Sequence, residues 1–426
     1  MRAEAQRGHS RPEGRLPLEG IRVVDFTHYW SGPLATTIMG AFGAEVIKVE
    51  SPTYLDGYRL ASRPLGDMTG WETSPLFNPV NLNKLGLAVD LKRDEGREIF
   101  LRLVSVSDVV VENHANHVMR SFRLTYDDLR AVKPDIIMVA MPAYPSCSKL
   151  ADYVGFAFTF EHLSGGSDAT GYSDEEPPFS MGAMSDPSLG YTAVFATMMA
   201  LWHRNRTGQG AFIEIPQTQA FAYLMARRVV EFQLCGRTHG RMGTRHPYMA
   251  PHNVYPCRDP DTWIAITVGS DEEWGRLVEA MGRPEWALEE RFATATGRKA
   301  NEDELDSLIG EWTRRYSHLE LMHLLQQAGV TAGAALRPQD LMSDPHLRAR
   351  DFFVSLPREI VGEHEYPWIG FRLDGVAAHH RKAAPLFGQD NEYVLKELLG
   401  LSQSEIQRLA QEGIIGWAPD LNRLEQ

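Results

Sequence analysis

The stretch IRVVDFTHYWSGPLATTIMGAFGAEVIKVE, residues 21–50, decides the fold. It opens on a short apolar run, Ile21 to Phe26, of the length expected for a buried strand. A polar loop, Thr27 to Gly32, leads to Pro33, whose fixed φ and missing N–H suit the first position of a helix. Leu34 to Phe42 then reads as that helix, and Glu45 to Glu50 as a second strand. Two strands joined through a helix are parallel, because a hairpin cannot connect them.

Working outward, the alternation continues. Leu87 to Leu91 reads as a strand, Glu95 to Val106 as a helix, Asp108 to Glu112 as a strand, Tyr126 to Val132 as a helix and Asp135 to Ala140 as a strand. Such a succession implies an α/β fold, a mainly parallel sheet with helices on its faces. Ligands in these sheets lie beyond the carboxyl ends of the strands. The loops Thr27 to Gly32 and Asn113 to His117 emerge there, so both are candidate ligand loops. A long helix is expected from Ser185 to Trp202, with Val194, Phe195, Met198, Leu201 and Trp202 at helical spacing and a polar turn at residues 204–210. Residues 236–262, rich in Gly, Pro, Arg and His, signal a change of domain. A strand at Trp263 to Val268, a helix-rich region to Leu341 and an amphipathic helical tail, Asn391 to Ile415, complete the chain. The resulting division is a disordered tail over 1–15, a large domain over 16–225, a linker and small domain over 226–340, and a return to the large domain over 341–426.

Hydrophobic residues make up 43% of the 426 residues and charged residues 23%, which predicts a packed globular protein. The formal charge of −13, from 43 Lys plus Arg against 56 Asp plus Glu, argues against a nucleic-acid binder, which needs a basic face. An anionic ligand stays open, because a few local cations and N–H groups can outweigh the net field. Three scattered cysteines, Cys147, Cys235 and Cys257, point to a reducing cytoplasm and to neither a disulfide framework nor a zinc site. No apolar run reaches the roughly 18 residues a membrane helix requires. The first 15 residues have no apolar stretch and do not read as a secretory signal.

Asp186 precedes Pro187 at the start of the long helix. On local sequence it reads first as a plain N-cap; a carboxylate kept ionised there by the helix dipole and free N–H groups, and so able to act as a nucleophile, is compatible with that reading. No GxGxxG, Walker-type loop or GxSxG elbow is present. His114 and His117 have HxxH spacing without a third ligand, so no metal is expected. Ser164-Gly165-Gly166-Ser167 reads as a turn or as a mobile catalytic loop.

Taken together, several segments resemble the class III CoA-transferase family, which includes formyl-CoA, carnitine and benzylsuccinate CoA-transferases and the α-methylacyl-CoA racemases. They are FTHYWSGP (26–33), GAEVIKVESP (43–52), Asp56 with Arg59, NLNKLGLAVDLK (81–92), DVVVEN (108–113), GAMSDPSLG (182–190), RNRTGQG (204–210), GVTAGAALRPQDLMSDP (329–345) and APLFGQDNEYVLKELLGL (384–401). The resemblance implies a Rossmann-like large domain made from both chain ends, a smaller inserted α+β domain, and two subunits interlocked as rings. It places Asp186 on the family's nucleophile. His28, Trp30, Ser31, Val89, Asp90, Leu91, Lys92, Asn113 and His114 fall on or beside positions that line CoA. Three departures stand out: Ser121 where the family has an arginine, with Arg120 one position early; Gly236, Gly240 and Gly243 in place of a run of adjacent glycines; and Phe156-Ala157 where racemases carry a His-Asp pair. Phe156 and Ala157 cannot exchange protons, which disfavours a racemase.

The chemistry implied is transfer of CoA from an acyl-CoA to a carboxylic acid through an aspartyl anhydride and an aspartyl-CoA thioester, with acyl-CoA as co-substrate and no metal. Oxyanion stabilisation is expected from N–H groups near the Ser164–Gly166 turn and the helix start. The aromatic stretch Gly155 to Glu161 reads either as core or as the wall of a pocket for a bulky or aromatic acceptor acid, with succinyl-CoA as donor. A homodimer is expected. A subunit of a heteromeric transferase and a racemase are the alternatives.

Overall fold

β-Branched residues build the centre of the fold: Val23, Val24, Val46, Ile47, Val110 and Val139 are wholly shielded from solvent. Strands of this composition, apolar on both faces, belong to a sheet covered on both sides. The computed structural model describes residues 16–61, 70–374, 376 and 378–420, so the expected tail over 1–15 lies outside the described residues. The chain divides into two compact units. The first draws on Met1–Gly166, Ser180–Gly236 and Asp351–Gln426, the second on Ser167–Phe179 and Arg237–Arg350.

The first unit starts with β1 (Arg22–Phe26), α1 (Ser31–Ala41), β2 (Glu45–Glu50), β3 (Lys84–Ala88), α2 (Asp94–Ser105), β4 (Val109–Glu112), α3 (Tyr126–Val132) and β5 (Ile137–Ala140). It continues with α4 (Ala157–Leu163), α5 (Ser185–Thr207), β6 (Ala211–Glu214), α6 (Gln217–Leu224) and α7 (Ala226–Cys235). The six strands form one sheet in the order β3-β2-β1-β4-β5-β6, every pair parallel. The order reverses between β1 and β4, and the crevice at such a switch point is where doubly wound sheets take ligands.

Several boundaries shift for identifiable reasons. α1 starts at Ser31, which puts Pro33 third rather than first, still within the turn where a missing N–H costs nothing. β3 pairs over Lys84–Ala88, three residues before the expected Leu87–Leu91; Val89 N still bonds Glu50 O (2.8 Å), and Val89 also bridges Ile415. α5 runs past Trp202 to Thr207. Its last turn carries Arg204 and Arg206, which suit a helix C-terminus, and only Gly208, at φ 72°, ends it. Of the five residues read as one apolar face of α5, Leu201 is buried and Val194 and Met198 half-buried, whereas Phe195 and Trp202 are exposed. That helix is apolar on two sides.

Buried ion pairs tie the two chain ends of this unit together. Arg59, fully buried, donates to both carboxylate oxygens of Glu50 (2.8 Å each) and to Glu72 (2.8 Å), and lies 3.7 Å from the centre of the Phe77 ring. Arg358, in the antiparallel hairpin of β10 (Phe353–Arg358) and β11 (Gly362–Pro367), also binds Glu72. The expected C-terminal helix resolves into a π-helical turn, Tyr393–Leu398, and an α-helix, Gln403–Gln411. Val394, Leu395, Ile406 and Leu409 from these segments enter the same core as β1–β4.

The second unit is a three-stranded antiparallel sheet, β7 (His252–Pro256), β8 (Trp263–Thr267) and β9 (Thr331–Ala334), with helices that include Asp271–Ala280, Glu302–Thr313 and His318–Gln327. Its core contains Ile264, Ile266, Leu277, Phe292, Leu305 and Ile309. Among the described residues no helix is long and apolar enough to cross a membrane.

Candidate active site

Asp186 is the second residue of α5, not its N-cap. The backbone turns left-handed at Gly182 and Ala183 (φ 75° and 65°), so the helix begins at Ser185 and Met184 takes the flanking position. Capping falls to Glu161 of α4 instead. Its fully buried carboxylate accepts from Ser180 Oγ (2.5 Å), Met181 N (2.9 Å) and Ser185 N (3.4 Å). The Asp186 N–H donates to Ala183 O (3.1 Å). Its carboxylate is left to accept a hydrogen bond from Gln217 Nε2.

Gln217 opens α6, just after β6. Its backbone N–H is fixed to Pro142 O (2.9 Å) beyond the end of β5, and its side chain is 5% exposed. Gly190, one turn along α5 from Asp186, lets that helix approach α1 closely, since a Cβ there would stand 2.9 Å from Ser31 O. The sheet edge and α1 thus hold Asp186 in place from both sides.

Burial pushes the Asp186 carboxyl up to about 6. The Gln217 bond opposes that rise and the Glu161 charge adds to it. Loss of solvent is the largest influence on this carboxyl. At neutral pH the group is mainly ionised yet poorly hydrated, the state a carboxylate nucleophile needs.

Aromatic side chains neighbour it. Burial and the Asp186 charge together raise the Tyr58 phenol to about 12. Tyr58 packs edge-on against Tyr29 (5.7 Å), and Tyr29 against Phe156 (5.3 Å). Asp56 fixes this group, its Oδ1 accepting from both Tyr29 N (3.0 Å) and Tyr58 N (2.9 Å). Within the stretch read as either core or pocket, Phe160 is buried core, whereas Phe156 and Phe158 are 52% and 57% exposed.

At the switch point the two candidate loops meet. Asn113 Oδ1 accepts from His28 N (2.8 Å), and Asn113 Nδ2 donates to His28 O (2.8 Å) and Ser31 Oγ (3.3 Å). The His28 ring lies tilted against Tyr54 (5.5 Å) and edge-on to His114 (5.2 Å). Burial lowers His28 to about 4, so it is a neutral imidazole at pH 7. Trp30 flanks the start of α1, half-buried.

Residues 89–92 divide. Val89 and Leu91 are core, and the Asp90 carboxylate turns back to Lys92 N (3.0 Å), so among these four side chains only Lys92 is exposed. Arg120 pairs with Asp152, and Ser121 bonds only within its own turn, to Val118 O. Gly236 caps α7, whereas Gly240 and Gly243 belong to the second unit. Within the turn expected to supply oxyanion donors, Ser164 N bonds Phe160 O (2.9 Å) and Gly165 N bonds His162 O (3.3 Å). No group of three or more His, Cys, Asp or Glu arranged to hold a metal ion occurs among the described residues.

Sequence reasoning had not singled out Gln217, Glu161, Tyr29 or Tyr58. Gln217 carried one signal, its place after a strand and a proline in a parallel sheet, where ligand-facing residues gather. Glu161 carried none, because its role depends on a helix start more than twenty residues away.

The model of CoA-transferase family III matches residues 18–391. The succinyl-CoA–D-citramalate CoA-transferase of Chloroflexus aurantiacus is 32% identical, over 94% of this chain and 98% of that protein. The alpha subunit of the succinyl-CoA–L-malate CoA-transferase of the same organism is 30% identical, over 94% and 93%. Among solved structures, a CaiB/BaiF family protein from Brucella suis superposes with a TM-score of 0.81 at 29% identity, covering 90% of this chain and all of that one.

Proposed function

The chain belongs to CoA-transferase family III and is a class III CoA-transferase, and from that premise we propose that Asp186 is the residue through which CoA passes. The Asp186 carboxylate attacks the donor thioester and forms a mixed anhydride, releasing CoA thiolate. The thiolate attacks the aspartyl carbonyl, giving an enzyme-CoA thioester and the free donor acid. An acceptor carboxylate then repeats both steps in reverse. The thioester broken and the one made are of similar energy, so no ATP and no metal are required.

One observation carries the reading: a shielded carboxylate, raised to about 6, sits at the carboxyl edge of a parallel sheet. The CoA moiety is assigned to the switch-point crevice, along His28, Trp30, Ser31, Asn113 and His114. Lys92 supplies exposed charge for a phosphate, and Val89, Asp90 and Leu91 hold the backbone there. Succinyl-CoA is the proposed donor, in keeping with the names of the two Chloroflexus relatives. The acceptor carboxylic acid is placed against Tyr29, Tyr58 and Phe156, a wall suited to an apolar or aromatic group. A racemase finds no support at Phe156 and Ala157, which carry no acid–base group.

The active form is proposed to be an interlocked homodimer. α5 exposes Tyr191, Phe195, Met199 and Trp202, and none of the ten residues of α7 is buried, Val229, Val230, Phe232 and Leu234 included. Apolar faces of that extent are covered by protein. A heteromer is the alternative, since one relative is an alpha subunit.

The test is exchange of labelled succinate into succinyl-CoA by the purified chain alone. Exchange that disappears in Asp186→Asn supports the reading. Activity only after a second subunit is added would favour the heteromer, and exchange retained in the variant would refute the assignment of Asp186.

A further inference from the structure

We infer that Gln217 is a catalytic residue whose carboxamide N–H binds the oxyanion that forms on Asp186 itself. The inference rests on the reading of Asp186 as nucleophile and assigns the group that stabilises its tetrahedral intermediates.

Once acylated, Asp186 becomes the electrophile. A thiolate, or later an acceptor carboxylate, attacks its Cγ, and the carbonyl electron pair moves onto the side-chain oxygen that stays on Cγ. Collapse of the intermediate returns that pair to the carbonyl and expels a carboxylate in one direction, CoA thiolate in the other. Every such passage places a negative charge on one Asp186 oxygen, and a donor already aimed there lowers the barrier.

Several neighbouring N–H groups are already committed. Ser164 N and Gly165 N close the end of α4. Ser185 N serves Glu161, Asp186 N serves Ala183 O, and Pro187 has no N–H. The donor in contact with the Asp186 carboxylate is Gln217 Nε2. Its placement is built in: the residue is buried, its backbone is fixed to Pro142 O, and the next residue, Thr218, bonds Ala143 O through both its N–H (3.3 Å) and its hydroxyl (3.0 Å). A carboxamide also suits the resting state, because it donates to the ionised carboxylate without neutralising it, as a cation would. The same bond leaves the other carboxylate oxygen to attack the thioester.

Two variants of the full-length protein test this. Gln217→Met keeps the length of the side chain and removes the donor. Gln217→Glu keeps its shape and donates only when protonated, in a site that also faces Asp186, Glu161 and Tyr58. The expected result for Gln217→Met is a kcat lower by about 100- to 1,000-fold with KM for the acyl-CoA changed only a few-fold. The Gln217→Glu variant is expected to regain rate on acidification, over a range where the parent protein loses it. Parent-like kcat in Gln217→Met, with CoA still mapped to Asp186, overturns the inference and leaves the nucleophile assignment intact. A Gln217→Met protein that fails to fold leaves the decision to Gln217→Glu, whose lack of any acid recovery would equally overturn it. If the parent protein never carries an adduct on Asp186, the nucleophile assignment fails and this inference with it.

Discussion

Glu161 accepts the N–H of Ser185 at 3.4 Å and so places a second carboxylate beside Asp186, the next residue along the chain. One carboxylate shapes the helix start that presents the other, and its charge helps keep that neighbour's pKa high. Glu161→Gln tests the charge, because its one amide oxygen can still accept from Ser180 Oγ and Met181 N, and only the long 3.4 Å bond from Ser185 N is given up. The acid limb of the pH–kcat profile should move to lower pH in this variant with the fold intact; an unmoved limb would show that Glu161 acts only as a cap. Glu161→Ala should instead destabilise, since it strands the buried Ser185 N–H at about 1–3 kcal/mol.

The raised pKa of Asp186 is itself a cost to the fold. Between 3.8 and about 6 the folded protein holds a proton that the unfolded chain has released, so stability from this group falls as pH rises and the full penalty is present above pH 6. Asp186→Asn should therefore be more stable than the parent at pH 7.5, by about 1–3 kcal/mol, with the difference vanishing below pH 4. His28 and His380, both lowered to about 4 by burial, slope the opposite way but are common to both proteins and drop out of the difference. Urea titrations of the two proteins across this range provide the measurement.

Arg59 should be among the costliest positions to change. Its replacement by alanine leaves Glu50 and Glu72 buried with less compensation and removes the cation over Phe77. A loss of about 3–5 kcal/mol is expected. A thermal midpoint within two or three degrees of the parent would contradict it.

Phe195→Glu combined with Val230→Glu puts charges into the two exposed apolar faces of α5 and α7. If those faces are covered by a second copy of the chain, light scattering should change from dimer to monomer or aggregate. A dimer that survives both substitutions would place the interface elsewhere.

What the sequence disclosed followed the range of the physics. Hydrophobic period and the Pro33 signal located β1, α1 and β2 to within a few residues, because those elements are set by local burial and local φ. The candidate loops at His28 and Asn113 were found as loops, but the two hydrogen bonds that join them across 85 residues could not be read from either one. Asp186 was legible as a residue, but its surroundings were not. Its pKa is raised by burial, lowered by Gln217 and raised by Glu161, all supplied by tertiary packing. Val89 and Leu91 show the converse: a matching segment marked them for ligand contact, and packing assigned their side chains to the core.

Intact-protein and peptide mass spectrometry after brief mixing with succinyl-CoA tests the central claim most directly. The account requires a covalent CoA adduct on the peptide that contains Asp186, removed by hydroxylamine and absent from Asp186→Asn. An adduct mapped to another residue, or one of equal yield in the variant, would contradict it.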